Sequence, residues 1–189
     1  MTLPHGHRAW IAIGSNIEPE RYLPRAVDAL RALGVVARVS RVYESVALGD
    51  SSQANYLNAA VLLETSLSAE DLCRTALPAV EAQLDRVRDP TDKYAPRTID
   101  LDLVLFDDAV FEVDHRRIPD PEIESRPFLS VPLAELTPEY RHPVHGLTLE
   151  ALVGEKSAAV LGLKLRPDVW LAPARPESRK GLRAEDGPA

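Results

Sequence analysis

The chain has 189 residues, and its 22 Lys and Arg against 29 Asp and Glu leave a formal charge of −7. That balance argues against a protein held electrostatically on nucleic acid or on an anionic membrane, which would usually be basic. With 45% hydrophobic residues it can bury one core of single-domain size, and its one cysteine, Cys73, excludes an internal disulfide framework and suits a reducing compartment.

The opening MTLPHGHRAW lacks the long apolar core of a secretory signal, and no stretch reaches the ~20 apolar residues of a membrane span, so a cytoplasmic location is expected. Residues 9–13, AWIAI, read as a buried strand closed by a tight turn at Gly14-Ser15-Asn16. Leu23, Val27, Leu30 and Leu33 recur at helical spacing over 19–33, with Gly34 as the stop. The valine-rich segment 35–47 reads as a strand, 49–55 as a polar loop, and YLNAAVLLET (56–65) as another strand. Ser68 followed by Asp71 marks a helix start. Leu72, Ala76, Val80, Leu84 and Val87 then give one apolar face to a helix over 69–87, kinked at Pro78, with Cys73 a small apolar residue on it.

A loop over 88–97 leads into a strand at 98–106, and Asp107-Asp108 reads as a hairpin turn into 109–113. A short helix follows near 131–136 and another starts at Thr148. The order β-α-β-β-α-β predicts a ferredoxin-like α+β sheet with helices packed on one face. Residues 1–166 are expected to form one domain. Residues 167–189, dense in Pro, Arg, Glu and Gly, are expected to be weakly ordered, with Trp170 available to pin them to it.

The chemistry concentrates in RVRDPTDKYAPRTIDLDLVLF, residues 86–106. Asp100 and Asp102, two apart in a strand, project to one face about 6.6–6.8 Å apart along the chain. A solvated strand face could carry the same pair, but two carboxylates so placed can hold one or two magnesium ions and share them with phosphate and water. Arg86, Arg88, Lys93 and Arg97 come just before. Arg86 and Arg88 at a helix end also suit the helix dipole, yet arginine grips phosphate oxygens bidentately. The loop between Pro90 and Pro96 can act as a lid.

These residues resemble the 6-hydroxymethyl-7,8-dihydropterin pyrophosphokinase family, whose signature is an R-x-R pair, a variable loop and PRTIDLDLVLF. The resemblance extends to IAIGSN (Ile11 to Asn16), YLNAAV (Tyr56 to Val61), and Arg126-Pro127-Phe128 followed by Pro132-Leu133, in order over residues 9 to about 150. It implies transfer of the β,γ-pyrophosphoryl unit of ATP to the hydroxymethyl oxygen of the pterin with release of AMP, a step of folate synthesis. By resemblance, Asp100 and Asp102 bind two Mg²⁺ ions and, with Arg86 and Arg97, are the catalytic set. Arg86, Arg88, Arg97, Arg116, Arg117 and Ile118 contact ATP. The pterin site takes Tyr56 and Phe128 as stacking rings and Asn58 as the edge-reading amide. Gly14, Ser45, Val46, Leu48, Asp100 and Arg126 complete its wall.

The chain departs from the family pattern at two positions, and it also runs well past the family core, where residues 167–189 match no motif of the family. Asp120 stands where I-P-H is common, and an ionised aspartate there would repel phosphate, with Arg116 and Arg117 close in sequence to offset it. Tyr94 replaces a tryptophan of some members. An active pyrophosphokinase, expected to be a monomer acting on small molecules without nucleic acid or membrane, is therefore weighed against two alternatives. One is a non-catalytic pterin- or nucleotide-binding relative. The other is an RNA-binding module, whose strand order would be shared but whose charge and paired aromatics are missing.

Overall fold

The structure, a computed structural model, describes residues 6–47, 53–89, 91–92, 95–154, 158 and 160–171. At its centre β1 (His7–Ser15) runs antiparallel between β4 (Tyr56–Thr65) and β5 (Asp100–Phe106). On the far side of β4 pair both β2 (Val35–Val39) and β3 (Tyr43–Ser45), and β8 (Lys164–Leu165) extends β3. The chain is an α+β protein with helices packed on this sheet.

Alternation along the strands sets the layers, because successive side chains point to opposite faces. Ile11 and Ile13 of β1, Ala59, Val61 and Leu63 of β4, and Leu101 and Leu103 of β5 face one side. There they meet Leu23, Val27 and Leu30 of α1 (Pro19–Leu30) and Leu77 and Val80 of α3 (Leu77–Gln83). Trp10, Ala60 and Leu62 face the other side, joined by Leu105, which a register shift between β1 and β5 turns away from the side of Leu101 and Leu103; they pack against Leu133 and Leu136 of α4 (Pro127–Leu136) and Leu149 of α5 (Leu149–Val153). Helices therefore cover both faces, where one was expected. The runs AWIAI and AAVLL are apolar without a polar alternate, which is how a strand buried on both faces reads.

Several expected elements take different bounds. The segment 35–47 is two strands, not one. At the break the Ser40 amide donates to the Ala60 carbonyl at 3.0 Å and the Ser40 hydroxyl accepts from the Ala60 amide at 2.9 Å, so a side chain patches the ladder. The helix expected over 69–87 is a short α2 (Ala69–Asp71), a π-helical turn (Leu72–Ala76) and α3, capped at Leu84. Pro78 lacks an amide hydrogen, and the wider turn before it carries the hydrogen bonding from Leu77 to Leu72. Val87 lies past the end and is 82% exposed.

Gly34 does not stop α1, which ends at Leu30. A Cβ there would lie 2.2 Å from the Glu64 carbonyl, so the glycine permits close approach to β4. Residues 109–113 do not pair back on β5. Instead β6 (Phe111–Val113) pairs with β7 (Arg116–Ile118) through Asp114 and His115, both at positive φ as a tight hairpin requires. Beyond residue 166, Val169 and Leu171 are buried in the first core, and Trp170 between them is 73% exposed, so its neighbours do the pinning. Residues 172–189 of the expected tail lie outside the described residues.

Candidate functional site

The register of the three central strands builds the site. Gly14 of β1 stands opposite Asn58 on one side and Asp100 on the other, and Ala12 stands opposite Ala60 and Asp102. All six lie on the Trp10 face. Small side chains on β1 and β4 thus leave a floor, and the N-terminal turn of α4 supplies Phe128 and Leu129 to its rim, leaving a cavity of about 270 Å³. Ser45, Val46, Tyr56 and Asn58 line it on the β3–β4 side, and Arg97, Asp100, Asp102 and Asp120 line the β5 side. That volume is near the lower end for ligand pockets, ~300–1,000 Å³.

Asn58 is buried and oriented. Its Nδ2 donates to Ser45 Oγ at 2.9 Å and to the carbonyls of Tyr43 at 3.4 Å and Tyr56 at 3.5 Å. Its Oδ1 lies 3.4 Å from where a Cβ on Gly14 would stand, so the acceptor faces the space the glycine leaves open. Burial raises the Tyr56 hydroxyl above its ordinary range, with the neighbouring Arg97 acting against the rise.

Both acids carry arginine partners. Asp100 pairs with Arg97 at 2.7 Å and Arg86 at 3.5 Å, and Asp102 pairs with Arg116 at 2.9 Å. Packing around Asp102 removes much of its hydration, although its oxygens still open onto the cavity. That desolvation, with the Asp100 charge added, pushes its carboxyl up to about 6 despite Arg116. Burial lowers the Arg86 guanidinium against the pull of Asp100, and Arg97, although desolvated, is raised by Asp100. Among the described residues no group of three His, Cys, Asp or Glu side chains is arranged as a metal cage. Two cavity-facing carboxylates with few protein ligands suit Mg²⁺, which keeps water and phosphate in its shell.

The remaining residues singled out by sequence divide clearly. Gly14, Ser45, Val46, Tyr56, Asn58, Arg97, Asp100, Asp102 and Phe128 line one cavity, and Arg86 reaches it through Asp100. Arg116 engages Asp102, and Arg88 is ion-paired to the buried Glu81. Arg117 is exposed, and the Ile118 side chain belongs to the first core, so it does not face the cavity. Arg126 caps the start of α4 near Glu122 at 3.6 Å, with its Nε buried and unpartnered. Leu48, Pro90, Lys93 and Tyr94 lie outside the described residues. Asp120 caps the turn Pro121–Ile123 by accepting from the Glu122 amide at 2.7 Å, while burial raises its carboxyl.

Two supporting residues escaped the sequence reading. Asn16 Oδ1 accepts from the Arg97 amide at 2.8 Å, and the amides of Asn16 and Ile17 donate to the Arg97 carbonyl at 3.1 and 3.2 Å. Asn16 read only as a turn residue. Glu81 accepts from the Leu101 amide at 2.9 Å, between the two aspartates, and holds Arg88 with its other oxygen. An acid at helical spacing within the Leu77, Val80, Leu84 stripe was the signal for it.

The RNA-binding alternative loses its platform, because α4 and α5 pack on the sheet face that carries Trp10. No described helix is long and apolar enough to cross a membrane.

Residues 10–138 match the family model described as 7,8-dihydro-6-hydroxymethylpterin-pyrophosphokinase (HPPK). Three curated relatives are named 2-amino-4-hydroxy-6-hydroxymethyldihydropteridine pyrophosphokinase. The Synechocystis protein is 35% identical over 181 residues, covering 88% of this chain and 90% of the relative. The Pseudomonas aeruginosa protein is 36% identical, covering 72% and 84%. The Bacillus subtilis protein is 39% identical, covering 68% and 77%. Among solved structures, the wild-type Plasmodium falciparum HPPK-DHPS with pterin and p-hydroxybenzoate aligns with a TM-score of 0.62 at 14% identity. That alignment covers 80% of this chain and 43% of the Plasmodium one, so the chain spans less than half of that protein and the likeness concerns the fold.

Proposed function

From the premise that the chain belongs to the 7,8-dihydro-6-hydroxymethylpterin-pyrophosphokinase family, we propose how its own residues perform the family's reaction. The enzyme is a transferase of folate biosynthesis. It moves the β,γ-pyrophosphoryl group of ATP to the hydroxymethyl oxygen of 6-hydroxymethyl-7,8-dihydropterin and releases AMP. The observation that carries the residue assignment is the row Asn58, Gly14, Asp100, which sets an edge-reading amide and a charge-bearing acid pair across one strand.

The pterin ring lies on the floor at Gly14, between Tyr56 and Phe128. Asn58 Oδ1 accepts from the ring's N–H edge, and the hydroxymethyl group points along the row toward β5. Asp100 and Asp102 would hold two Mg²⁺ ions, which supply neutralisation of the triphosphate charge. Arg86, Arg97 and Arg116 are the counter-ions of these acids. Standing beside the two acids, these guanidiniums would also serve the phosphates of the bound nucleotide. Their task is alignment and electrostatic stabilisation, with no covalent nucleophile on the protein. The cavity suits one flat bicycle, so the nucleotide extends beyond it toward Arg88, which leaves Glu81 to join it.

Asp120 is occupied in capping the turn that leads to Arg126 and Phe128, which separates it from the phosphate role of a histidine at that position. The strand order also supports the ferredoxin-like reading, with β2 and β3 together filling the place of one strand. The proposed setting is a cytoplasmic monomer that acts without nucleic acid.

The test is AMP release from ATP with and without the hydroxymethyl pterin. Wild-type protein forms AMP only with pterin and magnesium, and Asp100→Asn or Asp102→Asn lowers turnover by ~10²-fold or more while the melting transition persists. Near wild-type turnover in either variant removes these acids from the mechanism.

A further inference from the structure

Beyond the family-matched residues 10–138, the chain returns to β3, the strand that brings Ser45 to the slot. Lys164 and Leu165 of β8 pair with Glu44 and Tyr43 of β3, and the Arg166 amide donates to the Val42 carbonyl at 2.9 Å. The Arg166 guanidinium then gathers three acids from separate elements. It lies 3.3 Å from Glu44 on β3, 2.9 Å from Glu20 on α1 and 2.7 Å from Asp168. Glu44 in turn accepts from Asn55 Nδ2 at 2.8 Å, immediately before Tyr56. Val169 and Leu171 anchor the far end in the core.

This matters for the pterin slot because β3 is only three residues long. Ser45, its last residue, receives the Asn58 Nδ2 hydrogen bond that leaves Oδ1 facing the ring position. Without β8 and Arg166, β3 is tied on one edge alone, to β4. We infer that Arg166 is a positioning residue for the pterin: through Glu44 it fixes the β3 end and Asn55, and so sets Ser45, the Asn58 amide and the Tyr56 ring. It touches no substrate. The inference rests on the pterin reading of the slot given above. A short edge strand with a side-chain clamp is the kind of outer support that holds a binding constellation within fractions of an ångström.

The experiment is steady-state kinetics of Arg166→Ala, Glu44→Gln and the double variant, with both substrates varied and melting temperatures recorded. The expected result is a pterin KM about five-fold higher in each single variant, as for a loosened hydrogen bond. The ATP KM and kcat stay within about two-fold. The double variant should be no worse than the poorer single, since Arg166 acts on the slot through Glu44. Arg166→Lys, which keeps the charge and loses the fork, should recover part of the shift. A lowered melting temperature with unchanged pterin KM overturns the inference, as does an equal rise in both KM values. If the wild-type protein releases no pterin-dependent AMP, the slot reading itself falls and this inference with it. An active wild type with kinetically normal variants removes the clamp alone.

Discussion

Gly14→Ala separates the demands of the fold from those of the ligand. The added methyl would stand 3.4 Å from Asn58 Oδ1 and 3.8 Å from the Tyr56 ring, both ordinary contact distances, and Gly14 is not among the glycines at positive φ. The folded chain therefore accepts alanine, and the reduced freedom of the unfolded chain adds about 0.4–1 kcal/mol of stability. A planar ring resting on the β1 backbone does not accept it. The methyl occupies the floor between the Asn58 amide and the Tyr56 ring, so a pterin bound as proposed must lift away from Asn58 Oδ1. Overpacking of this kind costs about 1–3 kcal/mol, which corresponds to a ~5- to 150-fold rise in pterin KM. Kinetics with each substrate varied, paired with thermal melts, read both effects. The expected result is an impaired pterin KM, an unaltered ATP KM and an equal or higher melting temperature. An unaltered pterin KM would show that no ligand lies on Gly14.

The acid pair gives a pH signature. The folded Asp102 carboxyl sits at about 6, above its ordinary 3.8, so its ionised form penalises the fold above that pH and protonation relieves the penalty as pH falls through it. Asp102→Asn should raise the melting temperature of magnesium-free protein at about pH 8, and the gain should vanish by about pH 4. An equal gain at both ends would contradict the desolvation argument. Asn16→Ala removes the acceptor of the Arg97 amide. Because small misplacements of a charge-stabilising group are expensive in rate, kcat should fall by ~10-fold or more with little change in pterin KM. A kcat within two-fold of wild type, by the same AMP assay, would make that contact incidental.

The local parts of this account were legible in the sequence. The two-residue spacing of Asp100 and Asp102 in a strand places both on one face, and Tyr56 and Asn58 follow the same rule on β4. What periodicity could not supply was pairing between distant segments. The opposition of Gly14 to both Asn58 and Asp100 is a matter of register between strands some forty residues apart or more. The pairing of Arg116 with Asp102 depends on the β6–β7 hairpin folding on itself instead of on β5. The second helical layer was present as unalternating apolar runs in β1 and β4, but α4, with apolar residues on several sides, gave no single stripe to assign. The expected boundary at 166 followed composition, which averages over Val169 and Leu171 and so misses two well-placed anchors in a polar segment.

In the proposed reaction the Asn58 slot and the Asp100/Asp102 pair act together across β1. With Mn²⁺ in place of magnesium, a non-hydrolysable ATP analogue and the pterin bound, nuclear relaxation of the pterin protons reports their distance from the metal. The hydroxymethyl protons should be strongly broadened, and the broadening should disappear in the Asp100→Asn/Asp102→Asn double variant. Sharp hydroxymethyl resonances in the wild-type complex, or broadening that survives in the double variant, would contradict it.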